Sequence, residues 1–529
     1  MLPLPSRTGA DGPPRPYGVQ PPPGHEPART SRVLQRAQDR ALLYGPFPDQ
    51  GLARGVSDGG LLASENAAVR ALAMRRIRAL GGSVARIAVN WREIAPAPAP
   101  AAFQARDPAS PAYRFAKLDA SVRSAVAAGL QPLLVVYDAP TFAEAPHRWR
   151  YAYPGTWAPS GLALGEFAAA LASRYDGAFP DPQRPGVALP RVRLLQAWNE
   201  PNLARYLEPQ WVAAGRRWSA FSPPLYRQLL NGFYAGVKSV QPSDRVIAAG
   251  IAPEGEPAGV GAMAPVSFLE ALLCLNGRER SACPQRSRFD VLAFHPLSVY
   301  DPDTPASSAL DAGISDIAKV TALLARAERL RTVLPAVRHP LWVTELNWES
   351  APPAAHGVPF ALQAAWVARA LHRLWVAGVS LVDWQFLVDP YGGAELPLPS
   401  GGVERYPRPD GLYAPGPGGD TFRARPRPFL RGFTLPVDPL RVNRSTVRVW
   451  ALLMVPRQVV VLQREVRPGR WRKLARMRAD RYGVLNKLLH CSGSLRLRLG
   501  TWRPWIPEGR AEPLFSAVAI VSARASFLE

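Results

Sequence analysis

The chain reads as a (β/α)8 barrel followed by a small all-β domain, and three observations lead there. Short apolar runs alternate with helical patterns between residues 45 and 435, and eight such units can be counted. From about Pro436 the pattern changes to short alternating runs separated by turns such as "RPGR". Strand–helix alternation implies a parallel sheet, and eight units is the number that closes a barrel. The third observation is negative. An open doubly wound sheet would normally carry a Gly-rich phosphate turn after its first strand, and "GVSDGG" (55–60) is not one.

The elements follow in order. "GLARGV" (51–56) is the first strand; "SENAAVRALAMRRIRALG" (64–81) is a helix with Ser64 placed to cap it and Gly81 to end it. "VARIAVNW" (84–91), a helix over 116–129 and "QPLLVVYDAP" (131–140) come next. A helix over 165–177 precedes "RVRLLQAW" (191–198), and a helix over 224–240 precedes "RVIAAGIAP" (245–253). Helix 265–276 leads to "DVLAFHP" (290–296), and helix 311–334 to "PLWVTELNW" (340–348). Helix 359–378 and "SLVDWQFLVD" (380–389) complete the eight, with a short helix in "RPRPFLRGF" (425–433). The barrel is therefore expected over 45–435. The tail, 436–529, is expected to be an immunoglobulin-like β-sandwich. Residues 1–44, Pro-rich and without an apolar signal core, read as a disordered leader.

Composition bounds the partners. Hydrophobic residues make up 47% of the 529, enough for a sizeable core. The formal charge is +23, and residues 441–529 hold 18 Lys and Arg against 5 Asp and Glu, so +13 of it lies in the tail. That asymmetry fits a general Arg-rich bias, or an anionic polymer bound through the tail. No basic helix, aromatic–basic interleaving or nucleic-acid motif supports a nucleic-acid partner. No run approaches the roughly 18 apolar residues of a membrane helix. The seven histidines show no metal-ligand spacing, so no metal or other cofactor is expected. Cys274 and Cys283 are spaced to close a small loop, or are two free thiols; Cys491 has no evident partner.

In such a barrel, functional side chains lie at the C-terminal ends of the strands. The fourth strand ends in Trp198, Asn199 and Glu200, and the seventh in Thr344 and Glu345. The second carries Arg86; the third ends at Tyr137 and Asp138, the sixth at His295, and the eighth carries Trp384. Two carboxylates facing each other suit glycosidic-bond cleavage: one protonates the leaving oxygen while the other attacks or activates water. Aromatic rings offer flat faces to the C–H faces of sugars.

"WNEPN" (198–202) resembles the fourth-strand signature of clan A glycoside hydrolases, especially families thirty-nine and five. "WVTELNW" (342–348) resembles the nucleophile motif on the seventh strand of that clan. The resemblance spans roughly residues 45–435 and implies a retaining mechanism. By position it implies that Glu200 is the general acid/base and Glu345 the nucleophile. Asn199 would bond the sugar 2-hydroxyl, Arg86 would support the nucleophile, His295 would be the sixth-strand histidine, and Trp384 the platform under the sugar. Many relatives carry a Tyr soon after that histidine; here the run is "FHPLSVY", which leaves Tyr300 to substitute. Asp138 is read as binding substrate or capping the following loop. The expectation is a secreted or cell-surface glycosidase acting on a β-linked glycan. The second reading is a carbohydrate- or polymer-binding protein on the same scaffold, without turnover.

Overall fold

A computed structural model describes residues 26–523, apart from 97–98, 100–102, 276–282, 299, 355–356, 391–393, 398–402, 407 and 503–512. Eight parallel strands close a barrel: β1 (Ala53–Ser57), β2 (Val84–Asn90), β3 (Gln131–Tyr137), β4 (Leu194–Ala197), β5 (Arg245–Ile251), β6 (Val291–Phe294), β7 (Leu341–Leu346) and β8 (Val379–Gln385). They neighbour one another in sequence order, and β8 closes on β1 with Ser57 opposite Gln385. This is a (β/α)8 barrel. Side chains alternate along each strand. Val84, Leu133, Leu194, Ile247, Trp342 and Leu381 fill the barrel interior, while their neighbours Ala85, Leu134, Leu195, Ala248, Val343 and Val382 pack outward in the main core, which the helices share.

Strand and helix ends move where local chemistry intervenes. The first barrel helix (Ala67–Ala79) is capped by Asn66, whose Oδ1 accepts from Ala68 N at 2.9 Å, not by Ser64. Ser64 Oγ instead accepts from Asn66 N, one step earlier. The helix expected over 311–334 spans Ile317–Leu330, because Arg331 turns left-handed and frees Val333–Leu334 to pair with Ser287–Arg288. Strands three and four stop short of their expected ends because Asp138 and Trp198 leave the β region, with φ of 57° and 73°.

The tail forms two antiparallel sheets. One is β9 (Val437–Asn443), β10 (Thr446–Leu452) and β13 (Val484–His490); the other joins β11 (Val459–Arg467), β12 (Arg470–Arg478), β14 (Leu495–Trp502), β15 (Pro513–Phe515) and β16 (Ala519–Val521). Val447, Val449 and Ala451 meet Leu462, Leu497 and Leu499 in the sandwich core. Strands β9 and β13 do not read as clean alternating runs, because Pro439 interrupts the first and Lys and Asn dilute the second. As an edge strand, β9 tolerates its Pro.

Strand β10 is buried on both faces. Its other face turns Trp450 and Leu452 into the barrel's own core. There, His372 of the helix Phe360–Val376 stacks on Trp450 at 4.7 Å and places Nδ1 2.7 Å from Asp438 Oδ2. Arg369 Nε lies 3.0 and 2.9 Å from the two Asp438 oxygens. Burial would raise the Asp438 pKa, but Arg369 and His372 outweigh it and hold the carboxyl well below its ordinary value.

The expected leader is corrected here as well. Residues 1–25 lie outside the described structure, but Arg29–Tyr44 is a helix. This stretch has no Pro, and its spacing gathers Gln38, Leu42 and Leu43 on one buried face. Gln38 and Asp39 receive the guanidinium of Arg373, and Leu42 and Leu43 pack on Leu440.

Removing one partner of a buried ion pair costs about 3–5 kcal/mol, so Asp438→Asn is expected to lower unfolding free energy by about that much in urea titration at pH 7. Because the Asp438 carboxyl is depressed in the folded state, the wild-type advantage should shrink as pH falls below the ordinary Asp value of about 4.

Candidate active site

At the end of β4 the chain makes a strained turn. Trp198 and Glu200 both take left-handed φ, 73° and 38°, although neither is Gly. Each such residue costs on the order of 1–3 kcal/mol and persists only when the surroundings over-determine it. They do so here. The buried Trp198 indole donates to Tyr206 O at 2.7 Å, Glu200 N donates to Gly250 O at 3.0 Å, and Asn202 bonds Ala252 and Met263. The turn raises Glu200 above the barrel mouth. Across the mouth, the register of β7 against β8 shifts between Val343 and Leu346. This irregularity lets Thr344 and Glu345, though consecutive, share one buried cluster.

Arg86 organises that cluster. Its Nη1 donates to Glu345 Oε1 at 2.8 Å, its Nη2 to Asn199 Oδ1 at 2.7 Å, and its Nε to Gln196 Oε1 at 3.4 Å. Because Oδ1 of Asn199 is taken by Arg86, its NH2 is the end left to donate. His295, fully buried, puts Nδ1 2.8 Å from Glu200 Oε1 and 3.8 Å from Glu345 Oε2; its Nε2 lies 2.9 Å from Thr344 Oγ1. One oxygen of each glutamate and a His295 nitrogen lie within 4.8 Å of one another. Burial alone would raise the pKa of Glu345, but His295, Arg86 and Arg408 reverse the sign, and the carboxyl titrates below its ordinary value. Three ligand-type groups this close offer a frame for a cation, but the Arg86 guanidinium already answers the Glu345 charge from 2.8 Å.

Two glycines make room for this arrangement. A Cβ on Gly250 would stand 1.9 Å from His295 Nε2. A Cβ on Gly55 would stand 1.6 Å from Asp383 Oδ1. Asp383 is fully buried within the barrel and neither of its oxygens has a hydrogen-bond partner among the described residues. Burial pushes its pKa up to about 8, with Arg86 pulling down and Glu345 pushing up. A neutral acid therefore sits close to the charged pair.

Of the residues read from the sequence, Glu200, Glu345, Asn199, Arg86 and His295 come together as one hydrogen-bonded group. Trp384 does not join them. It is fully buried between Trp348, Phe429 and Phe433, and its indole donates to Asp410 O at 2.9 Å. The strand alternation explains the miss: Leu381 and Asp383 point inward, so Trp384 faces the helix layer and offers no face to a sugar. Tyr300 contributes its carbonyl to the Trp348 indole, 3.1 Å away. Asp138 stands at the rim, where Oδ2 accepts from Asn90 Nδ2 at 3.1 Å and its carbonyl accepts from Arg92 N. Burial pushes the Asp138 pKa up to about 7 against the pull of Arg205 and Arg92, aided by Glu93 and Glu144.

Several members were not legible beforehand. Gln196 is a polar residue hidden in an apolar strand, whereas Thr344 is read at the end of the seventh strand but without its His295 partner. Tyr206 lies in the loop after Glu200; burial raises its pKa, Arg205 opposes this, and both Glu200 and Glu345 add to it, so the hydroxyl stays protonated near the pair. Cys274 and Cys283 are disulfide-bonded, which decides between the two readings of their spacing.

No protein-family model matches the chain, and no curated protein matches it. Among solved structures, the chain is similar to a family 39 glycoside hydrolase from Bacteroides cellulosilyticus WH2, at 17% identity over 85% of this chain and 83% of that one, with a TM-score of 0.48. It is similar to a glucosidase from Croceicoccus marinus at 12% identity, covering 90% and 84% of the two chains, with a TM-score of 0.46. It is also similar to a monomeric beta-xylosidase from Caulobacter crescentus CB15 at 14% identity, covering 84% and 94%, with a TM-score of 0.44.

Two outcomes are expected. In Gly250→Ala, the added methyl forces His295 off Thr344, so a crystal structure should show the ring displaced; an unmoved ring contradicts the packing described. Asp383 is neutral in the folded state up to about pH 8 but ionises near 4 when unfolded, so unfolding releases a proton between those values. Asp383→Asn should therefore gain stability relative to wild type as pH rises from 5 to 8, read by urea unfolding at the two pH values; a pH-independent difference contradicts it.

Proposed function

We propose that the protein is a retaining glycoside hydrolase acting on a β-linked oligo- or polysaccharide. The observation that carries this reading is the pair Glu200 and Glu345, on the fourth and seventh strand ends, with oxygens within 4.8 Å of each other. Retaining enzymes hold their two carboxyl groups roughly 5–5.5 Å apart, whereas inverting ones need about 6.5–9.5 Å to fit a water. The roles follow from the surroundings. Glu345, with Arg86 on one oxygen and a lowered pKa, stays ionised and attacks the anomeric carbon. Among the described residues Glu200 pairs with His295 and with no arginine; it protonates the leaving oxygen and then takes the proton of the incoming water. When Glu345 becomes an ester, its charge disappears from beside His295 and Glu200, which favours ionisation of Glu200 for that second step. Asn199 directs its NH2 to the hydroxyl next to the anomeric carbon.

The disulfide Cys274–Cys283 supports a secreted or cell-surface setting, since such bonds persist in oxidising compartments. No helix of the described residues is long and apolar enough to cross a membrane.

A panel of aryl β-glycosides tests the assignment. Glu345→Gln is expected to abolish turnover. Glu200→Gln should lose about 10²–10⁴-fold on glycosides with poor leaving groups, and much less on activated aryl groups that depart without a proton. Wild-type turnover of no glycoside would favour the non-catalytic binding reading instead, and full activity in Glu345→Gln would overturn the roles.

A further inference from the structure

The sandwich presents its second sheet away from the barrel, because the first sheet lies between them through the Trp450 face of β10. The strand pairings place the outward side chains in rows. One row runs Arg478, Val459 and Pro513, with Trp502 opposite Pro513; the next runs Arg476, Val461, Gly500 and Phe515. Below these come Lys473, Gln463 and Arg498, and then Trp471 and Glu465 beside Arg496 and Ile520. Among the described residues, five cations share this face with one carboxylate, Glu465, which already pairs with Arg496. Lys473, Arg476 and Arg478 are exposed, and no acidic partner reaches them among the described residues. Residues two apart on a strand stand roughly 7 Å apart and neighbouring strands about 4.8 Å; a register shift between Leu462 and Gln463 widens the step from Arg476 to Lys473, so the charges form a close-set array on one face. Arg498 is held rigid between Trp471 and Phe515, 4.2 Å from each ring, while Trp502 is 63% exposed.

Unpaired like charges on one face repel each other, and an isolated solubility device would scatter them or pair them. A row of exposed cations beside an arginine clamped between two aromatic rings and an exposed Trp502 matches a chain that carries repeated carboxylates on rings with C–H faces. We propose that the outward face of the sheet β11–β12–β14–β15 binds an acidic polysaccharide of the polyuronate type, holding the polymer while the barrel works on a glycan. Choosing a glycan over another polyanion rests on the glycosidase reading; the cationic lattice itself does not.

The test uses the full chain carrying Glu345→Gln, so that bound polymer persists, with polygalacturonate, a neutral β-glucan and duplex DNA as probes. Polygalacturonate is expected to bind, to weaken steeply with salt, and to lose roughly tenfold or more in affinity in Lys473→Glu/Arg476→Glu/Arg478→Glu. The neutral glucan should bind at least about tenfold more weakly than polygalacturonate. The milder Arg476→Gln/Arg478→Gln pair serves if the triple variant does not fold, and should give a smaller loss in the same direction. Unchanged affinity in these variants, equal binding of the neutral glucan, or tighter binding of DNA than of polygalacturonate overturns the proposal. Aryl-glycoside turnover by the wild-type chain, set beside its own polyuronate binding, separates the two ideas. Turnover without polyuronate binding overturns this proposal alone. Polyuronate binding by a chain whose wild type turns over no glycoside overturns the glycosidase reading and leaves the face standing.

Discussion

The guanidinium of Arg86 lies inside the barrel with only 5% of its surface exposed. A buried cation must be matched by an anion and by acceptors for its planar fork of N–H groups, or it destabilises the fold by several kcal/mol. Glu345 provides the anion, and Asn199 and Gln196 provide acceptors. These come from β7, from the turn after β4 and from β4 itself, so the match exists only when the sheet has closed. Barrel closure and assembly of the site are one event. The same contact polarises the two glutamates: it holds Glu345 as an anion and leaves Glu200 to His295.

The surroundings give way to this demand. Trp198 and Glu200 accept left-handed backbone, Gly250 surrenders a side chain to His295, and Gly55 does so for Asp383. Asp383 remains a carboxyl without a hydrogen-bond partner among the described residues, in the apolar interior near Arg86 and Glu345. Local cost next to a chemically arranged pair is the pattern expected of a working site rather than of a core optimised for stability. Asp438 locks the sandwich to the helix Phe360–Val376, and the helix Arg29–Tyr44 braces the same corner. The sandwich is therefore fixed to the barrel rather than tethered by a linker.

Much of this was legible in the sequence because two periods are strong signals. Strand–helix alternation yields the barrel, and polar residues ending apolar runs yield Glu200, Glu345, Asn199, Arg86 and His295. What failed did so for definable reasons. Trp384 was one residue out of phase: an aromatic near a strand end says nothing about which face it takes, and a shift of one inverts it. Gly250 and Gly55 carry meaning only through side chains from other strands. Gln196 looks like an impurity in an apolar run until its partner Arg86 across the barrel is known. The helix Arg29–Tyr44 was hidden by its Pro-rich neighbours, although its own residues contain no Pro. Strand β9 was hidden by Pro439, which an edge position permits.

Arg86 is held to fix Glu345 as the nucleophile, with an oxygen of Glu200 within 4.8 Å of it, nearer the retaining than the inverting separation. The stereochemistry of the first-formed product tests it most directly. Proton NMR of the anomeric signal during early turnover of an aryl β-glycoside should show the β-anomer first, with the α-anomer appearing only by mutarotation. If the α-anomer forms first, water attacks directly, and the nucleophilic role given to Glu345 is wrong.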